Sequence, residues 1–344
     1  MKGRLVVHGQ YEGRKAAALL VDGRLDDLLI DPPAGGAPLP GTVYLAVADR
    51  PMKGQGGQIL RLPGGASAFL RNSPGLSPGK PIAVQVTGYA EVGKAIPVTT
   101  KLIFKGRFAI LTPGALGVNV SRQIKDEDRR TALVDAVAQA NPTVAGVILR
   151  SAAEFADNAD IISEISELGL QVVSVIEGKD QSPAALLTGP DAHTYSRLEW
   201  VEEAGIDANQ TAFADHGIDE MIAGMRSPFL QLAGGASAWI EPTRALVAVD
   251  VNTGSDTSPA AGLKANIAMC KDLPRHLRCR GLGGQIVIDF APFAKRDRRQ
   301  IEQTLRTALR ADPIETALVG WTPLGHFELQ RKRERLAIQG LGPI

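Results

Sequence analysis

Cysteine and aromatic residues are scarce in this chain: two Cys, three Trp, four Tyr and nine Phe among 344 residues. Two cysteines cannot build a disulfide framework. Cys270 and Cys279 both fall in a segment read as helix, so no structural disulfide is expected and a reducing cytoplasm fits. His276 between them gives a Cys-x5-His-x2-Cys spacing that matches no common zinc pattern, so the three read as packing or surface residues. Long apolar runs are also missing; none approaches the roughly 20 residues of a membrane span. The start, Met1-Lys2-Gly3-Arg4, leads into a short strand-like run rather than the apolar core of a signal peptide. Every Gly-Lys pair is followed by Pro81, Ala95 or Asp180, so there is no Gly-x4-Gly-Lys-Ser/Thr phosphate loop. Neither a Gly-x-Ser-x-Gly elbow nor a His-Glu-x2-His helix occurs. These absences set aside P-loop nucleotide hydrolysis, elbow-type serine hydrolysis and zinc peptidase chemistry.

What is present describes a soluble globular protein, with 44% hydrophobic and 22% charged residues. Its length implies two to four sub-domains. The net charge of +1 hides segregation. Residues 1–124 hold 15 basic against 7 acidic side chains, residues 125–220 hold 6 against 19, and residues 264–335 hold 15 against 8. Two basic regions flanking an acidic middle suit a polyanion gripped by the two ends, or equally a surface with internal charge pairing.

Short apolar runs separated by turns over residues 4–31 predict a small antiparallel sheet. Asp31-Pro32-Pro33-Ala34-Gly35-Gly36-Ala37-Pro38 marks a boundary. Short strands with dense Gly/Pro turns over 41–100 predict a small barrel or sandwich. Strands are read at 101–112, 144–150 and 171–176, and helices at 126–139, 152–168, 195–204 and 218–225. From Ser237 onward, strands alternate with helices at about 263–278 and 298–310, an α/β pattern.

Two runs carry the chemistry. Ala245-Leu246-Val247-Ala248-Val249-Asp250-Val251-Asn252 and Gly284-Gln285-Ile286-Val287-Ile288-Asp289-Phe290 each read as a buried strand ending in an aspartate. A lone aspartate there is often a cap or turn residue. Two runs of one form, separated by a single crossover, would set two carboxylates side by side at one sheet edge. Like charges at close range need a proton or a cation between them. Hard oxygen donors suit magnesium or manganese. Asn252 lies on the same strand face as Asp250.

These two strands resemble the "IDINS/T-G" and "LGGLIVIDF" strands of the bacterial ribonuclease E/G family. Weaker resemblance runs through Ala68-Phe69-Leu70 with Pro78 to Val86, Gly93-Lys94 with Thr99-Thr100, Ser121-Arg122, Ile148-Leu149-Arg150-Ser151, and Phe327 to Arg333. The resemblance implies an α/β, multi-subdomain chain. An RNase H-like sub-domain (1–35 and 177–230) would be interrupted by an OB-fold (36–100) and a 5′-sensor region (101–176), then followed by a DNase I-like catalytic sub-domain (231–344). It implies a magnesium-dependent endoribonuclease, with manganese as the other candidate ion, leaving 5′-phosphate and 3′-hydroxyl products. Asp250 and Asp289 would hold the metal, and Asn252 would position phosphate or water. Phe69 would stack a base and Lys94 would meet the backbone. Arg122, Arg150 and Ser151, with backbone near Gly106, would bind a terminal phosphate. Arg296, Arg299, Arg331 and Arg333 would add positive charge. Phe69 equally fits a barrel core, Lys94 a solvated surface and Arg150 a strand-edge cap. Single-stranded RNA and a second copy of the chain are the implied partners.

The chain also departs from the family pattern. The Cys-Pro-x-Cys zinc motif is missing, so no zinc is expected. Pro292 stands where a second acidic residue follows the second aspartate, and the loop after Asn252 is short. Ile59 replaces a second stacking phenylalanine, and Gln123 replaces an arginine. The alternative these departures favour is a non-catalytic RNA-binding or ribosome-associated protein of the same fold. A metal phosphoesterase for small substrates is a third reading.

Overall fold

The computed structural model describes residues 3–338 apart from 53, 55, 72–74, 92, 143–144, 179–181 and 201–204. The chain divides into two compact units, one of Met1–Asp31 with Ala204–Ile344 and one of Pro32–Glu203. The first break falls at the Pro/Gly-rich stretch. The second falls between residues 203 and 204.

The first unit opens on a meander of β1 (Arg4–Tyr11), β2 (Arg14–Val21) and β3 (Arg24–Ile30). Its two-residue turns, Glu12-Gly13 and Asp22-Gly23, all take positive φ of 50°, 74°, 51° and 77°. That geometry matches the right-handed twist of the strands it joins.

In the second unit β4 (Val43–Met52), β5 (Gly57–Arg61), β6 (Ser67–Arg71), β7 (Pro81–Val86) and β8 (Ile96–Thr99) run in the order β4-β5-β6-β8-β7, and β7 pairs back on β4. This closed five-stranded barrel has a small apolar interior built on Ala46, Leu60, Leu70, Val84 and Val98. A second sheet holds β9 (Phe104–Lys105), β10 (Ala109–Pro113), β11 (Val118–Val120) and β12 (Ala145–Leu149). It shares a core with α1 (Glu127–Ala140) and α2 (Asn158–Glu177). The strand expected at 171–176 is instead the end of α2. Ile161, Ile165, Leu168, Val172 and Val175 are its buried side chains, and their spacing is helical despite the β-branched residues. β13 (Ala185–Leu187) adds to the edge of β4. α3 (Ala192–Glu199) starts where Asp191 accepts from the Thr194 N–H, earlier than the expected 195. The rest of that expected helix, 201–204, lies outside the described residues.

The chain then returns to the first unit. β14 (Gly205–Asp207) runs parallel to β1, and α4 (Ala212–Asp215) and α5 (Ile218–Arg226) follow. A six-stranded sheet comes next: β15 (Phe229–Gln231), β16 (Ser237–Pro242), β17 (Val247–Asn252), β18 (Gly284–Asp289), β19 (Thr316–Trp321) and β20 (Phe327–Arg331). Its order is β15-β16-β17-β18-β20-β19. α6 (Ala261–Arg280) links β17 to β18, and α7 (Arg298–Ala311) follows β18.

Buried ion pairs lock this unit. Arg335 makes a two-pronged contact with Asp27, at 3.0 and 3.3 Å. Asp312 accepts from Arg331 at 2.9 Å and from Arg278, which also reaches Asp26. Cys270 and Cys279 are buried and unbridged, and burial pushes both thiols up to about 12. They are packing residues, and their thiols stay protonated.

Candidate active site

β17 buries Val247, Val249 and Val251 and turns Ala248, Asp250 and Asn252 outward. β18 does the same, with Ile286 and Ile288 inward and Gln285, Val287 and Asp289 outward. The sheet therefore has one open face, and the burial expected of both strands is confined to the other. The carboxylates consequently avoid most of the desolvation cost that burial would have imposed.

The two strands are parallel neighbours, and Asp250 pairs in register with Asp289. Neighbouring strands lie about 4.8 Å apart, so the carboxylates rise side by side from one face. Asn252 donates its side-chain N–H to Asp250 Oδ2 at 2.8 Å, which fixes one carboxylate oxygen and leaves the other open. His326 Nε2 stands 3.8 Å from Asp289 Oδ1 on the other flank.

The backbone beyond Asp289 is held from α6. Asn266, fully buried, donates to the Ala291 carbonyl at 2.9 Å and accepts from the Ala291 N–H at 3.0 Å. One turn earlier Gly262 lets the Pro292 carbonyl approach so closely that a Cβ would lie 1.8 Å from it. Phe290 anchors the same stretch, packing against Phe293 and Trp321 with ring centroids 6.3 and 5.6 Å away. Asn266→Ala would leave a buried N–H and C=O unpaired, an expected loss of about 2–4 kcal/mol. Chemical denaturation measures this loss, and an unchanged midpoint would refute the clamp.

Two registered carboxylates and an amide are a hard-oxygen donor set, the set with which magnesium or manganese is held when substrate phosphate completes the shell. Among the described residues no group of three or more His, Cys, Asp or Glu side chains forms a fuller cage. The donors present fit a cation shared with a phosphodiester.

The other expected site residues lie as follows. Arg296 and Arg299 are exposed and line a shallow depression with Gln300, Gln303 and Thr304. Arg333 is half-buried, its guanidinium lying against Gly284 at the start of β18. Arg331 is 1% exposed and committed to Asp312 and to Thr316 Oγ1 at 2.8 Å, so its charge serves the core.

In the second unit Phe69 is half-buried, its ring covering Gly57. Lys94 is exposed and pairs with Glu91 at 2.6 Å. Arg122 is exposed and Ser151 half-buried. Arg150 is fully engaged: it donates to the carbonyls of Gly106 at 2.7 Å and Leu198 at 3.0 Å, and to Glu199 Oε2 at 2.9 Å. Close by, the N–H groups of Arg107, Phe108 and Ala109 converge on the Glu164 carboxylate at 2.7–2.9 Å. Such a cluster of amides is an anion nest, and here the protein's own carboxylate fills it.

Sequence reading alone does not single out His326, Asn266, Glu164 or Glu199. Each acquires its role from a partner distant in the chain, so only the pairing register and helix packing reveal it. No helix among the described residues is long and apolar enough to cross a membrane.

Comparison with known proteins gives a consistent result. A model described as the Ribonuclease E/G family matches residues 103–204 and 192–334. Ribonuclease E of Nostoc sp. (strain PCC 7120 / SAG 25.82 / UTEX 2576) is 28% identical over 300 residues, covering 75% of this chain and 44% of that protein. Ribonuclease G of Salmonella typhimurium (strain SL1344) is 28% identical over 303 residues, covering 76% of this chain and 61% of that protein. Ribonuclease G of Escherichia coli (strain K12) shows the same identity and coverage. The chain thus spans less than two thirds of the length of these relatives.

Proposed function

The chain belongs to the ribonuclease E/G family, and from that premise we propose that it is an endoribonuclease hydrolysing single-stranded RNA with the help of magnesium. The observation that carries this reading is the registered pair Asp250–Asp289 on an open sheet face, with Asn252 on the first carboxylate. Asp250 and Asp289 would hold the cation. When bound, the cation would polarise the phosphodiester and lower the pKa of an attacking water. Asn252 holds one Asp250 oxygen through its amide, which would leave the second oxygen for the cation. His326, at the far flank of Asp289, can donate to a phosphate oxygen or to the leaving group. The Asn266 clamp holds the Asp289 strand end at fixed height, and such fixed positioning lowers the entropic cost of assembling the reacting groups. The products on this reading carry 5′-phosphate and 3′-hydroxyl ends.

A second reading, an RNA-binding protein that keeps the fold without the chemistry, is favoured by the second unit. Arg150 shares the Glu199 carboxylate with Lys105, at 2.9 and 2.6 Å, and Glu164 fills the neighbouring amide nest. A terminal phosphate would have to displace a carboxylate to bind there.

One experiment bears on both readings. An A/U-rich single-stranded RNA is offered with a 5′-monophosphate and with a 5′-hydroxyl, in magnesium. Internal cleavage is expected for both forms, at rates within about twofold. A larger preference would require the terminal phosphate to displace a half-buried carboxylate from Arg150 or from the amide nest. The fragments should accept enzymatic 3′ tailing, as free 3′-hydroxyls do. Binding without cleavage supports the second reading, and fragments with 2′,3′-cyclic phosphate ends contradict hydrolysis by water.

A further inference from the structure

The open face of the six-stranded sheet carries a second feature beside the aspartates. Phe229 on β15 pairs in register with Trp239 on β16, and Trp239 pairs in register with Asp250. Cross-strand partners share a face, so Phe229, Trp239, Asp250 and Asp289 form one row across four strands. At the usual strand spacing Trp239 stands about 5 Å from Asp250, and Phe229 about 10 Å from it.

Both rings are open to solvent, Phe229 at 42% and Trp239 at 40% exposure. They meet edge to face, with centroids 5.5 Å apart and planes at 69°. The other two tryptophans are committed elsewhere. Trp200 is 4% exposed, and Trp321 packs among Phe290, Phe293 and Phe327. In a chain with so few aromatics, the exposed tryptophan and its brace flank the acidic pair directly.

We propose that Trp239, braced by Phe229, is a stacking platform for the nucleobase adjoining the phosphodiester addressed by Asp250 and Asp289. The proposal rests on the reading of that pair as the cleavage site. A nucleotide presents two different surfaces, a charged phosphate and a flat π-face. A cation between carboxylates takes the first, and an indole one strand away takes the second. Every base has a π-face, so this platform tolerates any sequence. It selects against duplex, because a paired base is already stacked on both sides and must be unstacked to reach it. The platform thus specifies single-stranded substrate at the catalytic face itself.

The test uses the full chain carrying Asp289→Asn, which is expected to bind RNA without turnover. Tryptophan emission is titrated with a short A/U-rich single strand and with the same sequence as a duplex. The single strand should quench emission, the duplex should do so far less, and Trp239→Phe should remove most of the quenching. Trp239→Ala should weaken Kd about tenfold, the usual scale for losing one base–aromatic stack. In the otherwise native chain it should raise KM more than it lowers kcat, with Trp239→Phe restoring most of the loss. Quenching that depends on Trp239 in a chain that cleaves nothing would keep the platform and remove the cleavage reading. Cleavage with unchanged Kd and KM in Trp239→Ala, and no quenching, would overturn the platform and keep the cleavage reading. Loss of a dimer in Trp239→Ala at unchanged RNA affinity would also overturn it, by assigning the rings to contact between copies.

Discussion

Asp250→Asn is expected to cut RNA cleavage by at least about a thousandfold, with fold and RNA affinity retained. The substitution is isosteric and lies on a solvent-facing strand position, so the core beneath it is untouched. What changes is charge. One carboxylate of two is replaced by an amide, and a hard cation loses an anionic oxygen. Metal assistance supplies several kcal/mol of transition-state stabilisation, and each 1.36 kcal/mol is tenfold in rate. Adding Asp289→Asn should cost little more, because residues that act as a unit are not additive. Single-turnover cleavage rates of the two single variants and the double variant measure this. Roughly additive losses would argue that the two aspartates work separately.

The second large effect concerns stability. Asp312 is wholly buried, accepts from Arg331 and Arg278, and also accepts from the Ile314 N–H at 2.9 Å. Removing it strands the buried Arg331 guanidinium and takes one carboxylate from Arg278, which keeps Asp26 and Asp27. Asp312→Ala is therefore expected to cost about 3–5 kcal/mol, since stranding a buried charge costs far more than the pair gains. For a unit of this size that lowers Tm by roughly 10 °C. Replacing Asp312 and Arg331 together by apolar residues should recover a large part of the loss. Thermal melts decide the matter, and a single variant that melts with the wild type would show that the network is dispensable. Burial already pulls Arg331 below the usual arginine range, with Asp312 opposing that shift.

Much of this was legible in the residues themselves. The aspartate pair followed from two runs of like form, and the parallel β17–α6–β18 unit brings them into register. The tight turns at Glu12-Gly13 and Asp22-Gly23 follow from glycine's tolerance of positive φ. The five-stranded barrel was foreshadowed by Gly/Pro punctuation between short runs. Other features were hidden by physics that acts at a distance. Val172 and Val175 suggest a strand locally, yet a helix buries them on one side. Arg331 looks like a surface cation until Asp312 is placed beneath it. Arg150 looks like a phosphate ligand until Glu199 is folded against it. Trp239 has no local signal beyond alternation within β16, and its meaning comes from its neighbour across the sheet.

A cleavage time course on a 5′-labelled, A/U-rich single-stranded RNA tests whether Asp250 and Asp289 form the cleavage site. Wild type and Asp289→Asn are compared, each in magnesium and in EDTA. Internal cleavage by the wild type in magnesium alone is expected, with RNA still bound by the variant. Cleavage that survives Asp289→Asn or EDTA, or RNA binding by both chains with no cleavage in any divalent metal, would contradict it.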